Sequence, residues 1–303
     1  GFKDRVAAVE TPDATHVRFR LKQPWPVFLT FYSSATGAGW IVPKKYVERV
    51  GDEGFKKAPI GAGPYKFVSF NPGVDLTPEP FAQSWRKAPS VKRFVFRVIP
   101  DEATRLAALK RGEVDIVYSV RGELAEELQR TPGLTLKPAV IQAAFWLYFP
   151  DQWDPKSPQH DRRVRQAISL ALDRNSINQA LTLGHSRITN SIIPSTFDYF
   201  WTPPAATYSV SRAKALLAEA GYANGFDAGD LSCDGSYSNL AEAIANNLAA
   251  VGIRTRLRPL ERAAFFSAYS DKKLRGGLIQ AASGAFGNAA TRLEAFVVTG
   301  GSY

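Results

Sequence analysis

Three histidines, one cysteine and one glycine–proline loop are the residues of this 303-residue chain whose types could do chemistry. A serine hydrolase needs a serine, a histidine and an acid brought together, and no Gly-x-Ser-x-Gly elbow occurs to present the serine. His16 lies on the alternating face of a strand-like run, His160 in a polar loop, and His185 just after Gly184. All three read as surface or turn residues. Cys233 stands alone, which excludes an internal disulfide and a cysteine-rich zinc site. Asp101 and Glu102 read as charge at a helix start, not as a catalytic carboxylate pair. The loop Pro59-Ile60-Gly61-Ala62-Gly63-Pro64-Tyr65 has a spacing that superficially suits phosphate. No Gly-Lys-Ser/Thr follows, and the next element is a strand, so it is not a phosphate cradle. Its glycines allow positive φ and close backbone approach, and Pro64 pushes Gly63 out of the helical region. No catalytic residue, metal ligand or cofactor site is assigned.

The elements that must position any site are α and β mixed along the chain. Length alone predicts two domains or one large α/β unit. Hydrophobic content of 45% and charged content of 22% suit a globular chain and exclude wholesale disorder. The longest uncharged stretch, Gln23 to Pro43, is broken by three prolines and two glycines and cannot span a membrane as a helix. The net charge of +10 is scattered from end to end, which predicts a solvated surface and no nucleic-acid partner. The chain contains no methionine, so it is expected to be a processed or excised piece.

Alternation predicts strands over Val17–Leu21, from Tyr65 onward, over Lys92–Val98 and over Ile253–Leu257. Val114–Val117 reads as a short buried strand, which with the helix opened by Asp101 suggests a parallel crossover. Leu134–Lys137 reads as a further strand. Helices are expected over Lys44–Val50 (closed by Gly51), Gly122–Arg130, Asp161–Asp173, Ser176–Leu183, from Ser211 as cap to Gly221, Ser238–Val251 and Arg262–Tyr269. The polar loop Pro150–Pro158 marks a change of lobe.

Several of these segments resemble one family. Pro59 to Tyr65 is similar to the proline-x-glycine-x-glycine-proline-tyrosine loop of family 5 extracellular solute-binding proteins, the dipeptide-, oligopeptide- and nickel-type receptors of ABC importers. Phe94–Ala108, Leu109–Ile116, Asp161–Arg174, Ser211–Gly221, Leu248–Gly252 and Gly300–Tyr303 match that family in order and spacing. The resemblance implies a two-lobed α/β periplasmic binding protein of type II with a ligand-closing hinge, here lacking the N-terminal part of lobe one. Residues 1–57 would be the end of the extra N-terminal subdomain, 58–144 a partial lobe one and 145–303 lobe two. It also implies periplasmic residence, a small-molecule solute, a permease partner in the inner membrane, and a monomer when full length. A non-transport relative, chaperone-like or a sensor partner, is the alternative.

A receptor of this kind needs a cleft that excludes water and a few orienting polar groups, not a nucleophile. The lobe junctions supply the candidates: Tyr118 and Arg121, Trp146 and Tyr148, Trp201, and Ser283, Phe286 and Asn288. Aromatic members could stack on a planar or apolar ligand. Pro59, Gly61, Gly63, Pro64 and Tyr65 would form a structural loop. In peptide receptors of the family, the segment matching Ala281–Leu293 carries a tryptophan and aspartates, one of which pairs with the peptide's amino terminus. This chain has no acid there before Glu294, and Pro150 replaces a frequent asparagine. A buried ammonium without a carboxylate is costly. The expected ligand is therefore an acid, a sugar, or an aromatic or amide-blocked compound, not a free-amine peptide.

Overall fold

Asp13 closes the first strand pattern into a hairpin. In a computed structural model of the chain, which describes residues 2–32, 40–85, 87–139, 141, 143–205, 207–282 and 288–299, a single helical turn α1 (Phe2–Arg5) leads into β1 (Val6–Glu10). This strand pairs antiparallel with β2 (Arg18–Leu21). The Asp13 carboxylate accepts the backbone N–H groups of Thr15 (2.8 Å) and His16 (3.0 Å), an Asx turn. By their contacts, residues 1–31 group with 136–303, and residues 32–135 form a second unit.

The unit of residues 32–135 starts with α2 (Lys44–Lys57). Gly51 interrupts it as expected, at φ 67° and ψ 177°, but helix resumes beyond it. Next come β3 (Tyr65–Asn71) and β4 (Asp75–Pro80), an antiparallel pair, and β5 (Phe96–Arg97) on the far edge of β4. The helices α3 (Glu102–Lys110) and α4 (Gly122–Arg130) follow. Asp101 caps α3, accepting the Thr104 N–H at 2.7 Å. Leu106, Ala108, Ala125 and Leu128 are the only buried apolar side chains among the described residues of this unit. Three expected strands are corrected here. Lys92–Val98 shrinks to two paired residues, and neither Val114–Val117 nor Leu134–Lys137 forms a strand, so no crossover closes. The cause is pairing: a strand needs a neighbour for its N–H and C=O groups, and among the described residues 114–117 and 134–137 pair with no strand, while of 92–98 only Phe96, Arg97 and the Val98 N–H find partners around β4. Ile116, expected to be buried, is 85% exposed.

The other unit is built on a four-stranded sheet. Its elements are β6 (Ala144–Tyr148), α5 (Arg162–Ala171), α6 (Arg174–Thr182), α7 (Val210–Glu219), β7 (Phe226–Asp234), α8 (Ser238–Ala249), β8 (Ile253–Leu260), α9 (Arg262–Ser270), β9 (Gly277–Ala282) and α10 (Ala289–Phe296). The strand order is β6-β9-β7-β8, with β7 parallel to both neighbours and β6 antiparallel to β9. Val164, Ala167, Ile168 and Ala171 form the buried stripe of α5, at the spacing of one helical face. They meet Ala213 and Leu217 of α7 and Ala241, Ile244 and Leu248 of α8 over Leu231, Cys233, Ile253 and Ile279 of the sheet. On the opposite face Phe265 of α9 packs with Leu274 and Leu278. Each such fully buried large side chain contributes about 1.5–3 kcal/mol. The cap of α7 is Ser209, which accepts the Arg212 N–H, and the expected cap Ser211 lies inside the helix. At the N-terminus, Arg5 pairs with Glu294 of α10 and lies over the Trp25 ring at 5.0 Å, which ties the hairpin to its unit.

Candidate functional site

The connections of the sheet single out one of its ends. From β7 the chain runs through α8 to β8 on one side, then returns through α9 to β9 on the other side of β7. The strand order therefore reverses between β7 and β9. In open α/β sheets the crevice outside the carboxyl ends of the strands at such a reversal is where ligands bind.

Three groups of side chains lie at that end of the sheet. At the end of β7, Asp234 is 2% exposed. It accepts the Ser236 N–H (3.0 Å) and the Arg262 Nη1 donor (2.6 Å) from the start of α9. The Arg262 guanidinium stays largely exposed and lies over the Phe266 ring at 5.0 Å. Neighbouring Cys233 is fully buried; burial first, and then the Asp234 charge, push its thiol up to about 11, so it is an inert packing residue. Second, Tyr237 meets Phe145 edge to face, 4.9 Å between ring centres. Phe145 belongs here because β6 runs antiparallel and its amino end, Ala144, pairs with Ala282 at the carboxyl end of β9. Third, beyond β9, Asn288 caps α10 by accepting the Ala290 N–H (2.8 Å) and bridges to Asp198. This places Tyr199, held at φ 63°, and Trp201 near the same end, both strongly exposed.

The sequence-predicted residues distribute unevenly. Trp146 packs edge to face on Phe296 of α10 (5.1 Å), and Tyr148 packs on the small core around Phe265. Trp201 and Asn288 lie as described above. Ser283 and Phe286 lie outside the described residues, as does the motif Gly300–Tyr303. Tyr118 and Arg121 belong to the other unit: Tyr118 is exposed, and Arg121 precedes α4 with its guanidinium 3.7 Å from Glu102. In the glycine loop neither Gly61 nor Gly63 has a positive φ, and a Cβ on Gly61 would meet nothing. The left-handed backbone and close approach expected at those glycines are therefore absent. Pro59 and Pro64 bracket the loop, and Tyr65 fastens its end by donating from its hydroxyl to the Val91 carbonyl (3.0 Å). The Asp234–Arg262 pair was missed because its members lie 28 residues apart. The available signal was an acid at the end of an apolar run, followed by a glycine.

An open cleft of about 380 Å³ lies at the opposite end of the sheet, where β7 begins. Most of its charges satisfy one another. Arg256 reaches Asp227 (3.3 Å) and Asp230 (3.2 Å), Arg258 reaches Asp230 (3.1 Å), and Arg275 reaches Asp151 (3.5 Å). Charges so paired offer a solute little, and the carboxyl end remains the candidate. Among the described residues no group of three or more His, Cys, Asp or Glu is placed to hold a metal ion, and no helix is long and apolar enough to cross a membrane.

Known structures share this architecture. The chain is similar to the ABC transporter-associated periplasmic binding protein DppA of Helicobacter pylori, solved with the peptide STSA, at a TM-score of 0.77 and 23% identity over 93% of this chain and 55% of that one. It is similar to MoaA of A. tumefaciens R10, solved with mannopinic acid, at a TM-score of 0.77 and 26% identity over 98% and 60%. In sequence it is 25% identical over 263 residues to the glutathione-binding protein GsiB of Salmonella choleraesuis, covering 84% of this chain and 49% of that protein. The chain thus spans about half the length of the curated relatives it matches. The sequence profile of the bacterial extracellular solute-binding proteins, family 5, middle region, matches residues 2–302, and the chain belongs to that family.

Proposed function

We propose that this chain belongs to an importer receptor that captures a small organic solute and delivers it to a membrane permease, working in the periplasm as a monomer. The observation that carries the reading is the set of side chains at the strand-order reversal: an arginine anchored on a buried aspartate and, at the same end of the sheet, the exposed Phe145 ring set against half-buried Tyr237. Such a surface grips a planar or apolar body and orients it by one polar group. In the same reading residues 145–303 are lobe two, 58–144 a part of lobe one, and 1–57 the end of the additional subdomain. Trp201 and Asn288, with Ser283 and Phe286, extend the site, and Trp146 and Tyr148 support it from β6. Tyr118 and Arg121 are lobe-one contributors.

The ligand we propose is not a free-amine peptide. The segment 281–293 has no acid, and the buried acid of this edge, Asp234, is already paired with Arg262. Asp198 is brought beside Asn288, but it is exposed, where an ion pair contributes little. That MoaA is solved with mannopinic acid accords with an acidic ligand. A thermal-shift screen over free and blocked peptides, sugars, sugar acids, aromatic acids and chelated nickel tests the reading. A ligand at about 100 times its Kd adds about 2.7 kcal/mol to the folded state, a shift of several degrees. A response confined to one non-amine group supports the proposal. Tight binding of an unblocked dipeptide refutes the ligand class, and silence across all groups refutes the receptor.

A further inference from the structure

We infer that Arg262 is a specificity-determining residue that selects a carboxylate on the bound solute. This rests on the receptor reading above and names the chemistry of that same site.

The argument starts from how the guanidinium is held. Asp234 is buried at the end of β7 and fixes Arg262 through Nη1 at 2.6 Å. Phe266 supports the guanidinium plane at 5.0 Å. Among the described residues Asp234 is the only hydrogen-bond acceptor of Arg262, whose side chain is 64% exposed. A guanidinium has five N–H donors, so most of them face outward with a fixed orientation. That arrangement matches the two oxygens of a carboxylate, and it has been pre-ordered before the ligand arrives, so little side-chain freedom is lost on binding.

Charge separates a carboxylate from a phosphate. Asp234 cancels the formal charge of Arg262, and Glu261 stands next to it as the cap of α9, accepting the Ala263 and Ala264 N–H groups. A dianionic phosphate would face a locally neutral or acidic edge. A singly charged carboxylate needs only the outward donors. Phe266, partly exposed against the guanidinium, supplies apolar surface for the remainder of such a solute.

The test uses matched probes that differ only in the acid: N-acetylphenylalanine with its amide, and gluconate with gluconamide, with glucose 6-phosphate as the phosphate arm. Binding is measured calorimetrically on the 303-residue chain, on Arg262→Gln, and on the double variant Asp234→Asn with Arg262→Gln. The double variant guards against misfolding, because Arg262→Gln alone leaves a buried carboxylate unpaired. We expect at least one acid to bind about tenfold or more tightly than its amide. That preference should vanish in whichever variant keeps the native circular dichroism. Equal binding of acid and amide, or a preference that survives both substitutions, overturns the role of Arg262 and leaves the receptor standing. Binding of the phosphate alone overturns the carboxylate. If no probe of either kind binds, the receptor reading itself fails, and this inference with it.

Discussion

Residues 92–98 and residues 253–260 carry equally good strand alternation, yet only the second stretch forms a full strand. Ile253–Leu260 pairs along its length with β7. Of residues 92–98 only Phe96 and Arg97 form strand, on β4, and Val91, Val95, Val98 and Ile116 remain exposed. The difference teaches that a period-2 pattern states a preference for pairing, and that the neighbour decides whether a strand results. The same contrast appears in the cores. Helices α5 and α8 bury four and three residues in the core on the sheet, whereas α3 and α4 bury two each.

Hydrogen exchange should show the contrast at its largest. Amides of Leu231 and Ile279 lie in paired strands within the core and should open only on global unfolding, against about 5–15 kcal/mol. Those of Ile116 and Val117 should exchange at nearly the rate of an unfolded chain. Comparable protection in both places would erase the distinction.

Truncation of a side chain probes the packing directly. Phe265, 1% exposed, joins α9 to the sheet, and Phe265→Ala should cost about 3–5 kcal/mol in urea unfolding. Ile116→Ala should stay within about 0.5 kcal/mol. A large loss at Ile116 would mean that its surroundings bury it in solution.

Two glycines sharpen the comparison at the backbone. Gly225 has φ 72°, and a Cβ there would lie 1.9 Å from the Gly252 carbonyl oxygen, where the turn before β7 crosses the turn before β8. Gly225→Ala should cost on the order of 2 kcal/mol or more, from strain and collision together. Gly61, in the more conspicuous motif, has open space around it, and Gly61→Ala should be within about 0.5 kcal/mol. Equal effects would show that the loop of residues 59–65 makes a close approach after all.

What the sequence disclosed follows from the range of each interaction. The stripe of α5 and the Asp101 cap are written within one or two helical turns, and the structure has both. The family resemblance was legible because several such local signatures recur in a fixed order. The candidate site was legible only in part. Trp201 and Asn288 stand out as an aromatic and an amide in loops, but Asp198 meets Asn288 across 90 positions, and Asp234 meets Arg262 across a whole crossover. Those partnerships are set by strand order, which no local pattern records. The edge-to-face pair of Phe145 and Tyr237 was hidden for the same reason.

The smallest expected effect compares the two units through one device, an aspartate at a helix start. Asp173 caps α6, and its carboxyl is held below its usual range by the Ser176 hydroxyl (2.7 Å) and then by the Ser176 N–H (3.1 Å). Asp101 does the same for α3 with Thr104. A carboxyl lowered in the folded state contributes stability that is fully present above its unfolded value of about 3.9. That contribution is lost as pH falls through the folded value. Asp173→Ala should therefore cost about 1 kcal/mol near neutral pH, and its deficit against wild type should shrink as the solution is acidified below about pH 4. Asp173→Asn keeps an acceptor at the cap, so it should recover much of the loss while flattening the pH dependence. Because α3 has a thin core, Asp101→Ala should be read as faster amide exchange confined to the first turn of α3. If exchange accelerates equally across β7, the two units share one cooperative unfolding, and the contrast between them is one of packing alone.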